Sequence, residues 1–194
     1  MDRKEFFRTS LRLGTCCAAV SALERVTRVM ADPSTCEQTM GFARAWVADF
    51  MSQMDSRLDE ETRRRVMERN GRACFAGAHG AVTPPDPPPD LDTWLAGFQK
   101  HVGRENLWRD GDLVHFKYVS NPRGLRVADG YCLCPLVEDG PATLSASFCH
   151  CSVGYVSLLF EGGTGRKAQV TLLDSLRRGG KECHFLVRLA EGAA

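Results

Sequence analysis

The sequence predicts an α+β fold, with N-terminal helices followed by a C-terminal antiparallel sheet that carries one packed helix. Three observations carry this prediction. Apolar residues recur at helical spacing through residues 34–57. A proline-rich stretch at 79–90 can continue neither a helix nor an interior strand. Beyond it, short β-branched and aromatic runs alternate with turn signals around one further helical segment.

Residues 1–31 open with basic Arg3, Lys4, Arg8 and Arg12 around Phe6 and Phe7, and an apolar run from Leu13 to Leu23 follows. That is the layout of a signal peptide, and the run is too short to span a membrane. The start resembles a twin-arginine export signal, with Arg3-Lys4 where that signal has two arginines, and Ala31 offers a small residue for cleavage. Two readings stand side by side. An export leader would make the mature chain periplasmic, whereas an amphipathic helix packed on the domain would leave it cytoplasmic.

A helical region is expected over 32–78. Ser34 and Glu37 form a capping-box pattern, and Phe42, Trp46, Phe50 and Met54 follow at spacing four with Ala43, Val47 and Met51 beside them. This predicts one helix over 34–57 whose aromatic and methionine stripe faces the core. Asp59 caps a second helix over 60–70, with Gly71 as its stop. Residues 79–90 read as an extended polyproline linker.

The remainder, 91–194, reads as the cysteine-rich α+β domain. It begins with a short helix presenting Trp94, Leu95, Phe98 and Val102 on one face. A strand over 113–119 ends at the turn 120–124, a helix over 153–160 ends at Gly162 and Gly163, and strands over 167–174 and 183–189 form a hairpin across 177–181.

Composition narrows the function classes. Lys and Arg number 25 against 24 Asp and Glu, so the formal charge of +1 supplies no field to gather nucleic acid. A chain of 194 residues buries a core without help from disulfides. Its nine cysteines therefore need another explanation, and an odd number leaves at least one outside intramolecular pairing.

Two C-x-C segments carry the strongest chemical signal, Cys132/Cys134 and Cys149/Cys151. Residues spaced by two on a strand share a face. Paired as a hairpin, the segments would set Cys132 opposite Cys151 and Cys134 opposite Cys149, a square of four thiols. Such a square suits Zn²⁺, which takes four soft ligands. It suits equally a redox or catalytic thiol, with Cys149 and Cys151 ahead of a helix N-terminus, or plain structural disulfides. Cys183, His184, His150 and Cys74 are additional candidates. His150 lies between two cysteines and should face away from them, and Cys183 and His184 cannot both face the site.

Taken together, Arg65-Val-Met-Glu-Arg-Asn-Gly-Arg-Ala-Cys74, Tyr131-Cys-Leu-Cys-Pro135, Phe148-Cys-His-Cys-Ser-Val-Gly-Tyr155 and Ser175-Leu-Arg-Arg-Gly-Gly-Lys-Glu-Cys-His-Phe185 resemble an uncharacterised bacterial cysteine-rich family, some of whose members carry twin-arginine leaders. The C-terminal half is similar to four-vinyl-reductase small-molecule-binding domains and to L-2-amino-thiazoline-4-carboxylate hydrolase-like proteins, through the ending Gly180-Lys-Glu-Cys-His-Phe185. The resemblance implies a small-molecule pocket and a metal, and it transfers no catalytic set. The expected function is thus a cysteine-centred small-molecule site, metal-binding, and hydrolytic on an amide-like or cyclic C–N bond if zinc keeps an open position. The alternatives are a non-catalytic sensor or binding module and a thiol redox protein.

Overall fold

The computed structural model describes residues 33–120, 126–134 and 144–190. The candidate leader lies outside them, as do Cys16, Cys17 and residues 121–124 of the expected turn. Helices α1 (Pro33–Arg57), α2 (Glu60–His79) and α3 (Leu91–Val102) precede strands β1 (Leu107–Asp110) and β2 (Leu113–Lys117). Helix α4 (His150–Thr164) and strands β3 (Ala168–Asp174) and β4 (His184–Leu189) complete the order. The four strands form one antiparallel sheet in the order β1-β2-β4-β3. The α+β architecture with one helix packed on an antiparallel sheet is therefore present. Among the described residues no helix is long and apolar enough to cross a membrane.

The apolar stripe of α1 divides in two. Met51 and Met54 are buried, but Phe42, Trp46 and Phe50 are 72%, 58% and 43% exposed, which corrects the expectation that the whole stripe is core. The buried residues lie on one edge of α1, where Val47, Ala48, Met51 and Met54 meet Met67 of α2 and Phe148. The aromatic rings point elsewhere, and Trp46 and Phe50 stack on each other with centroids 5.4 Å apart.

Asp59 caps α2 as expected, its Oδ1 accepting from the Thr62 amide at 2.8 Å. The helix does not stop at Gly71. It runs on to His79 and ends at Gly80, whose φ of +83° suits a residue without a side chain. Gly71 serves a different purpose, because a Cβ there would fall on the backbone carbonyl of Cys151 in α4. Reciprocally, a Cβ at Gly154 would fall on the carbonyl of Glu68 in α2. Both contacts are backbone against backbone, and the later ones, Arg72 with Glu161 and, just past α2, Val82 with Gly162, advance toward the C-terminus of each helix, so α2 and α4 run in the same sense with their backbones touching. The Arg72–Glu161 ion pair, 2.6 Å long, closes the same crossing farther along.

The proline segment packs along α4. A side chain at Gly162 would meet Val82 Cγ1 at 2.6 Å, and one at Gly165 would meet the Pro85 carbonyl at 3.2 Å. Asp90 then caps α3 through the Thr93 amide. The predicted face of α3 is observed: Leu95 is buried, and Trp94 and Phe98 lie against Phe160 with ring centroids 5.4 and 6.3 Å apart.

In the sheet, Val114 and Phe116 of β2 alternate with His115, and Phe185 and Val187 of β4 alternate with Leu186. The inward set packs on Val153, Val156 and Phe160 of α4. Phe160 and Phe185 are both fully buried, and each contributes roughly 1.5–3 kcal/mol by leaving water. β1 went unpredicted because Leu107-Trp-Arg-Asp110 is four residues long and half charged. It is held by the two-residue turn Gly111-Asp112, which pairs Asp110 with Leu113.

Gly71→Ala and Gly154→Ala should each destabilise the protein by about 1–3 kcal/mol, since neither carbonyl can yield without separating the helices. Gly77→Ala in the same α2 has open space and should instead stabilise by about 0.5–1 kcal/mol. Urea midpoints of the three variants check the contrast, and equal effects would defeat the close-crossing account.

Candidate functional site

The cysteines gather where α4 begins, but not on paired strands. Ala146–Cys149 is a 3-10 turn, opened by Ser145, whose Oγ accepts from the Ser147 amide at 3.0 Å. It runs straight into α4, so Cys149 is the N-cap and Cys151 lies in the first turn. Among the described residues, 131–134 pair with no strand, and they follow a 3-10 turn at Val127–Asp129 that ends on left-handed Gly130. The expected hairpin of two C-x-C strands is therefore overturned. Its physical fault is the assumed period, since residues two apart on a helix point about 200° apart rather than to one face.

That angle sorts the thiols. Cys149 turns into the main core with Phe116, Phe185 and Cys183, while Cys151 turns toward α1 and α2, packing with Cys132 and Cys134 against Met51, Met54, Met67, Leu144 and Phe148. Electrostatic influence runs between Cys132 and Cys149 and between Cys134 and Cys151, the reverse of the pairing predicted from register. Cys183 adjoins the first group and is influenced by both Cys132 and Cys149. Cys132 thus lies near both Cys149 and Cys183, and the three come from separate segments.

All the perturbed thiols are held protonated. Burial raises Cys149, Cys132 adds to the shift, and Ser175, Arg178 and Arg177 partly offset it. Burial raises Cys151 still further, with Cys134 and Cys149 adding to it. Burial pushes Cys183 up to about 12, and a hydrogen bond to the Leu176 backbone partly offsets the shift. Thiols in this state are poor nucleophiles at neutral pH. The helix N-terminus does not overcome desolvation here.

Two buried hydroxyls border the cluster. Ser175 Oγ leans toward Cys149 and favours its thiolate, yet its geometry falls short of a hydrogen bond. Tyr118 Oη stands likewise beside Ser152, Cys151 and Cys183 with no well-formed partner among the described residues. Buried hydroxyls without partners are costly, roughly 1–3 kcal/mol each, and mark a place with polar capacity to spare.

The additional candidates separate. Cys183 is buried with Phe185 and Val187, and strand alternation sends His184 to the opposite face of the sheet. His150 turns away from the thiols to Arg178, 3.2 Å from it, and burial and that guanidinium lower its pKa. Cys74, raised by burial, sits on α2 near Cys151 and Tyr155. Among the described residues no three Cys, His, Asp or Glu donors are already gathered at coordinating separation.

A second polar pair has no signature in the sequence. His79 Nε2 and Tyr155 Oη lie 2.7 Å apart, with Phe75 edge-on to the tyrosine. Burial pushes Tyr155 up to about 12, and the nearby Cys74 adds to the shift. Only the crossing of α2 and α4 brings these residues together, and no local motif announces it.

Residues 120–192 match a family of unknown function, DUF6144. The match spans the cysteine segments from 132 to 183 together with α4, β3 and β4. No curated protein matches the chain.

A pH dependence of stability follows from the raised thiols. A group whose folded pKa lies above its unfolded value of about 8.5 stabilises the fold fully below that value and loses the contribution as pH rises. Metal-free, reduced protein should therefore lose stability between pH 8.5 and 10, by up to about 1.4 kcal/mol per pH unit for each fully shifted thiol. Urea midpoints should fall over this range, and Cys183→Val should flatten the slope. A midpoint independent of pH would contradict the desolvated state of the cluster.

Proposed function

We propose that this chain is a thiol-based module that binds a soft metal ion, zinc in the first instance, with Cys132, Cys149 and Cys183 as the core of its ligand set. The observation that carries the reading is that Cys149 and Cys183, from separate segments, are buried in one cluster and that Cys132, from a third segment, raises the pKa of both. A cation that displaces their protons turns mutual repulsion into attraction and offsets the cost of burying thiolates. Cys134 or Cys151, which stand alongside, supplies the fourth ligand of a tetrahedral set. Cys132 and Cys134 lie on an irregular segment, whereas Cys149 and Cys151 are fixed by α4 and Cys183 by the start of β4. Binding therefore closes the 131–134 segment onto a rigid floor.

One observation favours a second ion. Met51, Met54 and Met67, all at most 5% exposed, line the same cluster as Cys132, Cys134 and Cys151. Mixed thioether and thiolate sulfur is the donor set that suits Cu⁺. Either ion makes this a binding or sensing module. Hydrolysis would require a ligand position left to water and a base beside it, and His150, the imidazole adjacent in sequence, is engaged with Arg178.

Elemental analysis of protein purified from its host under reducing conditions tests the reading. We expect one zinc or one copper per chain, protected thiols, and thiolate-to-metal absorption on substitution with Co²⁺. Cys149→Ser and Cys183→Ser should each lower occupancy at least tenfold. Full occupancy in both variants, or no thiolate band with Co²⁺, would overturn the proposal.

A further inference from the structure

The face of the sheet turned away from α4 carries a polar cluster of its own, built by β1, β2, β4 and the residue before Cys183. His115 and Trp108 are directly paired across β1 and β2, and their rings stack with centroids 4.6 Å apart and 2° between planes. His184 sits diagonally opposite on β4, with His115 Nδ1 and His184 Nε2 only 3.0 Å apart. On the far side of the His184 ring, Nδ1 lies 3.7 Å from Glu182 Oε1. The same carboxylate oxygen accepts from Lys117 Nζ at 2.9 Å. His184 keeps only 16% of its side-chain exposure, so this is a framed site rather than two surface imidazoles that happen to meet.

We propose that His115 and His184 form a second metal site, a two-imidazole clip for a late first-row divalent ion such as Ni²⁺, Cu²⁺ or Zn²⁺, independent of the thiol cluster. The geometry matches the ion. Two nitrogens each about 2.0–2.1 Å from a metal lie about 2.9 Å apart at a right angle and about 3.3–3.4 Å apart at the tetrahedral angle. The observed 3.0 Å falls between them. Only a tilt of the imidazoles is needed to turn both lone pairs toward one point, and histidine χ2 wells are broad enough to permit it.

The protons balance without an outside acid or base. Glu182 favours the proton on His184 Nδ1, which leaves His184 Nε2 as the acceptor and His115 Nδ1–H as the donor of the present hydrogen bond. On binding, His115 moves its proton from Nδ1 to Nε2, and both metal-facing nitrogens then present lone pairs. Glu182 behind His184 supplies the carboxylate that commonly orients a ligating imidazole. Two protein donors leave the other coordination positions to water or an external ligand. Lys117 opposes the ion through its charge, an effect that its pairing with Glu182 reduces.

Trp108 makes the site directly readable, because a paramagnetic ion at the imidazoles quenches an indole stacked on one of them. Titration of the full chain with Ni²⁺, followed by tryptophan fluorescence and by near-ultraviolet thiolate-to-nickel absorption, separates this site from the cysteines. Quenching should saturate without a thiolate band. His115→Ala and His184→Ala should weaken the quenching transition at least tenfold, Glu182→Gln should weaken it about tenfold, and Cys149→Ser should leave it unchanged. Trp108→Phe should remove the optical signal while calorimetry still records binding. Lys117→Met, which relieves repulsion, should tighten binding severalfold, a gain that no misfolded variant mimics. Absence of quenching in the native chain, its survival in both histidine variants, or its loss in Cys149→Ser would overturn the assignment.

Discussion

The contact on which the structure depends is the crossing of α2 over α4, where Gly71 meets the carbonyl of Cys151 and Gly154 meets the carbonyl of Glu68. Backbones this close leave no room for a side chain at either glycine. They also fix the roll of α4 about its own axis, because both contact residues must face α2 at once. Once that roll is set, Val153, Val156 and Phe160 face the sheet and Cys151 faces the seam between α2 and α1. The site is therefore a by-product of helix packing: an α4 rolled by even one residue, about 100°, would carry Cys149 out of the core.

The same crossing explains why the thiols are protonated rather than activated. Cys149 and Cys151 occupy the start of a helix, where partial positive charge favours a thiolate. Such a terminus stabilises an exposed anion by about 0.3–1 kcal/mol, whereas desolvation of a buried one costs several. Here α2, α1 and the sheet together exclude water from the terminus, so desolvation is the larger effect for both residues. The arrangement suits a cation that brings its own positive charge better than it suits nucleophilic chemistry.

What could be read in the sequence was whatever a local pattern encodes. The capping of α2 by Asp59, the face of α3 and the hairpin of β3 and β4 each follow from residues within a few positions of one another. The local signal at Gly71, a glycine after an arginine-rich helix, is the same whether the helix ends there or another backbone approaches. The aromatic residues of α1 satisfy a helical period, and a period says which residues share a face without saying what covers it. The C-x-C segments have the spacing of one strand face, but a 3-10 turn opened by Ser145 and a helix override it at Cys149 and Cys151. That the cysteines belong near one another was readable; which ones pair was not, since the pairing depends on the roll of α4.

Alternation along β4 then divides the donor chemistry of the chain. Cys183, Phe185 and Val187 face inward and His184 faces outward, so adjacent residues deliver a sulfur to one side of the sheet and an imidazole to the other. The inner side is dry and carries the Cys149 and Cys183 thiols, whereas the outer side is partly exposed and offers nitrogen with a carboxylate behind it. Soft ions prefer the first donor set and borderline divalent ions with bound water accept the second. A four-stranded sheet can hold two sites of different preference without mixing their ligands, because crossing between them would require a one-residue slip that inverts the whole of β4, and the burial of Phe185 and Val187 forbids that slip.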